Sequence, residues 1–432
     1  MNNLVSPNAG WHVGAGGGNM DGITADYIIP VLAAGKNITI VAADTAAGLL
    51  DACVACRNYQ NTTSTLCWRR TDQRKAGGFD FDALANNFML PPEDNAELHL
   101  AAYIPQFPPE LSPYHDLVEI IVLNEIRGQQ TDEPVYDGLH IGEYLGRFAL
   151  HYRQIAPANW RLLFFGFASG EPDPDVWEQP SMLEFLRLCG QRPCDTGIAG
   201  HEYSYDVNNI LNIYPHLLGR FNLLHDVCDW HGIARPRIVI SEWGWTLDNV
   251  PVPSQAIVDI ERAMLYRDDE TGLLGYASHP NIAGLAIWWL GPDFGGIANK
   301  AQKIIKPLGL YTVATQYDVE IDEPTQPPDG GEGDNMTLKW IMATRHMTEE
   351  LKPTHARVAF FAKGADGASG DVYLGKTDDF VLPAGSSVVS LVLLRDEPDE
   401  PENPNPPALD YLDVTPLGQR NPAWANTILG NG

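Results

Sequence analysis

Short runs of β-branched and aliphatic residues recur along the first three quarters of the chain, separated by amphipathic stretches. Buried parallel strands read as near-continuous apolar runs, and the helices between them as apolar positions at a 3.6-residue period. The pattern predicts eight strands, over residues 10–14, 37–43, 64–69, 119–124, 162–167, 197–203, 237–241 and 282–288. Helices are expected between them, among others over 141–155, 210–231 and 254–266. Eight βα units in roughly 316 residues suit an α/β protein built as a (β/α)8 TIM barrel with loop insertions. A doubly wound open sheet is the rival. It asks for Gly-x-Gly-x-x-Gly after the first strand; the glycine-rich segment 14–18 lacks both that spacing and an acidic ribose partner.

The pattern then breaks. Residues 322–334 and 396–407 are rich in proline and acidic residues, as solvated linkers are. Between them, β-like runs at 356–362, 371–374 and 387–394 predict a small β-rich module. The expected organisation is therefore a barrel over 1–318, an acidic Pro/Gly linker over 319–335, the module over 336–395 and an irregular Pro/acidic tail over 396–432.

Charge and cysteine content narrow the partners. With 28 basic against 56 acidic residues the net charge is −28, which disfavours nucleic acid, polyanionic polysaccharides and anionic membrane surfaces. Part of that charge sits in the linkers, so a neutral oligo- or polysaccharide partner fits. No eighteen-residue apolar run exists, so no membrane span is expected. The first residues carry no signal-peptide pattern, which leaves localisation open, with a lean toward an extracellular or cell-surface protein and a larger multidomain assembly. The six cysteines read as buried structural thiols, with a local Cys189–Cys194 disulfide as the alternative; Cys53, Cys56 and Cys67 lack a fourth ligand at zinc-like spacing. No cofactor and no metal is expected.

Two strands end on a glutamate: the fourth leads into Asn124-Glu125 and the seventh into Glu242. A barrel places its chemistry at the C-terminal ends of its strands, and a pair of carboxylates there is the machinery of glycoside hydrolysis. One such glutamate is ordinarily a salt-bridge or capping residue; two, on strands across the mouth from one another, point to catalysis. Asn124 suits a sugar 2-hydroxyl. His201 and Tyr203, at the end of the sixth strand, supply donors expected to orient Glu242 and hold its pKa down. Trp288 and Trp289 offer flat surfaces for a sugar ring, strand alternation sending one of them away from the mouth. His12, Arg69 and Trp243 are further candidates for substrate contact. Neither a Gly-x-Ser-x-Gly elbow nor a helical His-x-x-x-His pair is present to suggest another hydrolytic chemistry.

These residues resemble those of the clan A, or "4/7", glycoside hydrolases, with families 5 and 39 nearest. The resemblance covers about three quarters of the chain. It implies that Glu125 is the acid/base, Glu242 the nucleophile and Asn124 the 2-hydroxyl partner. It further implies that Tyr203 and His201 stand beside the nucleophile, with Trp288 or Trp289 flooring the sugar site. The expected activity is that of a retaining O-glycosyl hydrolase acting on neutral, β-linked oligo- or polysaccharide, with carboxyl groups about 5–5.5 Å apart. The alternative is a carbohydrate-binding or adhesive protein that keeps the barrel without turnover.

Overall fold

The computed structural model describes residues 3–14, 18–71, 88–126, 135–206, 209–246, 249–269, 271–293 and 295–322, together with five backbone strands beyond them. The chain divides into two units, 1–327 and 328–432. In the first unit, β1 (Asn3–Val5) lies outside the barrel. Eight parallel strands follow and close on themselves: β2 (Ala9–Val13), β3 (Thr39–Ala43), β4 (Thr65–Arg69), β5 (Val118–Val122), β6 (Arg161–Phe167), β7 (Thr196–Ser204), β8 (Ile238–Trp245) and β9 (Ile282–Leu290). The protein is therefore a closed (β/α)8-type barrel. A last short strand, β10 (Tyr317–Val319), returns to pair antiparallel with β1.

The helices are α1 (Ile29–Ala33), α2 (Leu49–Asn58), α3 (Pro92–Tyr103), α4 (Ile141–Ile155), α5 (Pro174–Trp177), α6 (Pro180–Gln191), α7 (Phe221–Trp230), α8 (Pro253–Met264), α9 (Ile297–Gln302) and α10 (Ile305–Ala314). Four of them, α3, α5, α6 and α8, open on a proline, whose fixed φ and missing N–H suit the first helical position. In α4 the residues Ile141, Tyr144, Leu145, Phe148, Ala149 and Tyr152 are buried, the i, i+3, i+4 stripe of a helix with one face on a core. The helix expected over 210–231 forms only from Phe221. Pro215 lacks the N–H that a helix interior needs, and Gly219 sits at φ 78°, outside the helical region.

The barrel interior is layered. Val41, Cys67, Ile121, Leu163, Ala199, Val239 and Ala286, one from each of β3 to β9, form an apolar plug. Toward the strands' N-terminal ends the buried Glu119 accepts two bonds of 2.8 Å from Arg237 and one of 3.3 Å from Arg161. That ion pair forms a floor under the plug. A charge buried there is tolerable only because it is paired and hydrogen-bonded. The six cysteines are free thiols; Cys189 is buried while Cys194 is exposed, so the local disulfide does not form.

Beyond the barrel, β11 (Met336–Leu338) pairs with β14 (Phe380–Leu382). A separate antiparallel sheet runs β13 (Ser369–Gly375), β12 (Ala356–Lys363), β15 (Ser387–Arg395). These strands cover the β-like runs expected at 356–362, 371–374 and 387–394; the tail over 396–432 lies outside the described residues.

Glu119→Ala leaves two guanidinium groups at the floor without their carboxylate. A loss of about 3 kcal/mol in unfolding free energy is expected, read from urea denaturation at neutral pH.

Candidate active site

The mouth is built from strand ends. His12 comes from β2, Arg69 from β4, His201 and Tyr203 from β7, Glu242 from β8, and Trp288 and Trp289 from β9. Asn124 and Glu125 follow the end of β5, where Leu123 (φ 76°) and Glu125 (φ 50°) take the left-handed backbone conformation. That conformation is uncommon for residues with a β-carbon and turns the chain sharply at the rim. Glu125 is exposed, whereas Glu242 is 4% exposed and lies inside β8, which continues past the expected end to Trp245.

Arg69 is the hub. Its guanidinium is buried and donates to Asn124 Oδ1 (2.5 Å), to His201 Nε2 (2.9 Å) and to Glu242 Oε1. Because arginine only donates, His201 Nε2 must accept, which puts the imidazole proton on Nδ1. His201 Nδ1 lies 3.6 Å from Glu242 Oε2. The Tyr203 hydroxyl donates to that same Oε2. His12 Nε2 stands 4.0 Å from Oε1. Burial and the Arg69 charge hold both histidines well below their ordinary pKa, so they are neutral at pH 7.

Burial pushes the Glu242 carboxyl well above the usual carboxylate range, against the expectation that its neighbours hold it down. The donors from Arg69 and Tyr203 are in place and favour the anion, but they act in a desolvated site, and desolvation penalises the charge itself.

Glu125, His201 and Glu242 each bring one oxygen or nitrogen within 4.8 Å of the others. The two carboxylates are thus neighbours across the mouth. The indoles of Trp288 and Trp289 lie stacked (5.5 Å between centroids, 24°), and the peptide between them is cis. They are not split between two faces as alternation would have it. Trp289 lies against His12 (6.3 Å, 28°), and Trp288 meets Tyr203 edge-on (5.9 Å, 81°). Gly14 makes this possible: a Cβ there would fall 1.7 Å from the Trp289 ring. In sequence Gly14 is only the first residue of a glycine-rich segment, whose residues 15–17 lie outside the described residues.

Trp243 does not join the mouth. It is 1% exposed, and its indole N–H donates to the Tyr276 hydroxyl (3.2 Å) on the helix-facing side of β8. Alternation explains this: the residue after an inward Glu242 points outward. Glu202 is likewise buried behind β7, where Gly219 N (2.7 Å), Phe221 N (3.4 Å) and the Tyr276 hydroxyl donate to it. Burial pushes its carboxyl up to about 7.

Two groups of described residues bring three metal-type donors together, Glu125–His201–Glu242 and, away from the mouth, His225–His279–Asp322. In each, an arginine already supplies positive charge: Arg69 on Glu242, and Arg235 at 2.7 Å from Asp322 Oδ2. At the second, Asn281 Nδ2 donates to His225 Nε2 (2.9 Å), which leaves the proton on Nδ1 and makes that nitrogen a donor.

No protein-family model matches the chain, and no curated protein matches it in sequence. Among solved structures it is similar to one described as GH5_18 from Streptomyces cattleya in complex with GlcNAc. The identity is 15%, the TM-score 0.40, and the match covers 74% of this chain and 83% of that one.

The raised Glu202 carboxyl ties stability to pH. The folded state holds a proton that the unfolded chain releases near pH 4.5, so this contribution is complete below that pH and is lost as pH rises through about 7. Glu202→Gln should lose that dependence, on the order of 3 kcal/mol, when urea unfolding at pH 4.5 and pH 7.5 is compared with wild type.

Proposed function

We propose that this protein is a retaining O-glycosyl hydrolase acting on neutral, β-linked oligo- or polysaccharide. One observation carries the reading: carboxylate oxygens of Glu125 and Glu242 lie within 4.8 Å of each other at the ends of β5 and β8. A retaining mechanism sets its carboxyl groups about 5–5.5 Å apart, while an inverting one needs about 6.5–9.5 Å to admit a water. A close approach of the two carboxylates supports the first.

In this reading Glu242, with Arg69 and Tyr203 donating to its two oxygens, attacks the anomeric carbon in its anionic form. The exposed Glu125 gives its proton to the leaving oxygen, then takes one from the water that releases the sugar. Arg69 fixes the Asn124 amide through Oδ1 and so turns its Nδ2 donor side away, the side suited to a 2-hydroxyl. Trp288 and Trp289 give the sugar a face to stack on. His12 Nδ1 and Nε2 and Trp289 Nε1 are buried without a protein hydrogen-bond partner, as groups kept for ligand hydroxyls or water would be. A neutral sugar fits because the cation at the mouth is already paired and the histidines are uncharged. The β linkage rests on the resemblance to clan A.

The test is sugar release from aryl β-glycosides, β-glucans, mannans and xylans by wild type, Glu242→Gln and Glu125→Gln, with the product anomer read by NMR. Turnover should vanish in Glu242→Gln. Glu125→Gln should fall about 10²–10⁴-fold, least with leaving groups that need no proton. An α-anomer as first product overturns the retaining mechanism. Equal glycan binding by wild type and both variants, with turnover in none, points instead to the non-catalytic carbohydrate-binding protein.

A further inference from the structure

We propose that Glu202 is a positioning residue that fixes the Glu242 strand from behind, through the Tyr276 hydroxyl and Trp243. The inference rests on the retaining-glycosidase reading for its kinetic consequence, and on geometry for its substance.

Strands β7 and β8 pair in parallel with a register shift after Gly200, and above it His201 stands opposite Glu242 and Glu202 opposite Trp243. The two pairs are successive rungs, and alternation places them on opposite faces. His201 and Glu242 face the mouth; Glu202 and Trp243 face the helices. Register matters because a one-residue slip exchanges the faces of every residue in a strand. The irregularity disrupts the ladder locally, and side-chain contacts on the rung beyond it add to what the backbone pairing supplies there.

The outer rung supplies such contacts. The Tyr276 hydroxyl donates to Glu202 Oε2 and accepts from Trp243 Nε1 (3.2 Å) and Gly219 N (3.0 Å). Glu202 also takes the amides of Gly219 and Phe221 at the start of α7. One buried carboxyl and one phenol thus bind together β7, β8, the entry to α7 and the turn at 276–278. Glu202, Trp243 and Tyr276 are each no more than 2% exposed. A buried network whose members are satisfied specifies one geometry, and loosening any member frees its neighbours. Here the neighbour of Trp243 is Glu242. A reacting group misplaced by about 1 Å loses on the order of 100-fold in rate.

The experiment compares wild type, Glu202→Ala, Glu202→Gln and Tyr276→Phe in crystal structures and in steady-state kinetics on an aryl β-glycoside. In Glu202→Ala the Glu242 carboxylate should leave its contacts with Arg69 and Tyr203, and kcat should fall on the order of 10- to 100-fold with KM little changed. Glu202→Gln should restore most of that loss. Tyr276→Phe, which removes one oxygen and is the gentler variant should Glu202→Ala not fold, should move Glu242 in the same direction. If Glu242 stays in place in Glu202→Ala and Tyr276→Phe, or kcat is unchanged while only the melting temperature drops, Glu202 merely caps α7 and the proposal is overturned. Wild-type protein without turnover on any glycoside would instead sink the glycosidase reading, and the crystal structures would still decide whether Glu202 holds Glu242.

Discussion

The mouth depends on a single buried cation. Arg69 reaches Asn124 from β5, His201 from β7 and Glu242 in β8, so one guanidinium draws four strand ends to a common point. Its rigid fork of donors lets it do so; a lysine ammonium carries comparable charge but no fixed directions. The same contacts decide protonation around it. They set the tautomer of His201, add to the burial that keeps both histidines uncharged, and favour the anion of Glu242 against its burial. Removing Arg69 would leave a carboxylate in a desolvated pocket without its cation.

Below that point the barrel carries two further kinds of packing. The apolar plug separates the mouth from the Glu119–Arg237 floor. Side chains of the plug are small on β7 and β9 (Ala199, Ala286) and larger on β5 and β6 (Ile121, Leu163), so the interior is filled by matching unequal volumes across it. The polar layers above and below differ in purpose. The floor pairs charges at the closed end, whereas the mouth keeps buried nitrogens of His12 and Trp289 without protein partners.

Much of this was legible in the residues. The eight strands, the helix over 141–155 and the two glutamate-ended runs follow from apolar periodicity and from local signals with a clear physical basis. What was not legible required knowing which residues meet. Arg69 was one candidate among several because its three partners come from three other strands. Trp243 looks like a candidate for substrate contact from sequence because alternation can be applied only when a strand's true end is known, and β8 runs four residues past the expected Ser241. Trp288 and Trp289 stack instead of parting, with Gly14 clearing the space from another strand. The outward pair of Glu202 and Trp243 left no sequence signal, since a buried acid beside a tyrosine 74 residues away looks like any surface acid in a one-dimensional reading.

The pairing of β1 with β10 has a mechanical meaning. Asn3 meets Val319 and Val5 meets Tyr317, and just beyond them Asp322 is held by Arg235 through its side chain (2.7 Å) and by its amide on Ser278 O (2.9 Å). Arg235 precedes β8, so this anchorage lies at the end of the strands opposite to Glu125 and Glu242. A pull applied to the chain beyond residue 322 is carried first by the short antiparallel ladder and the arginine clamp. The load path runs along the base of the barrel, and the rim that sets the two carboxylates stands outside it.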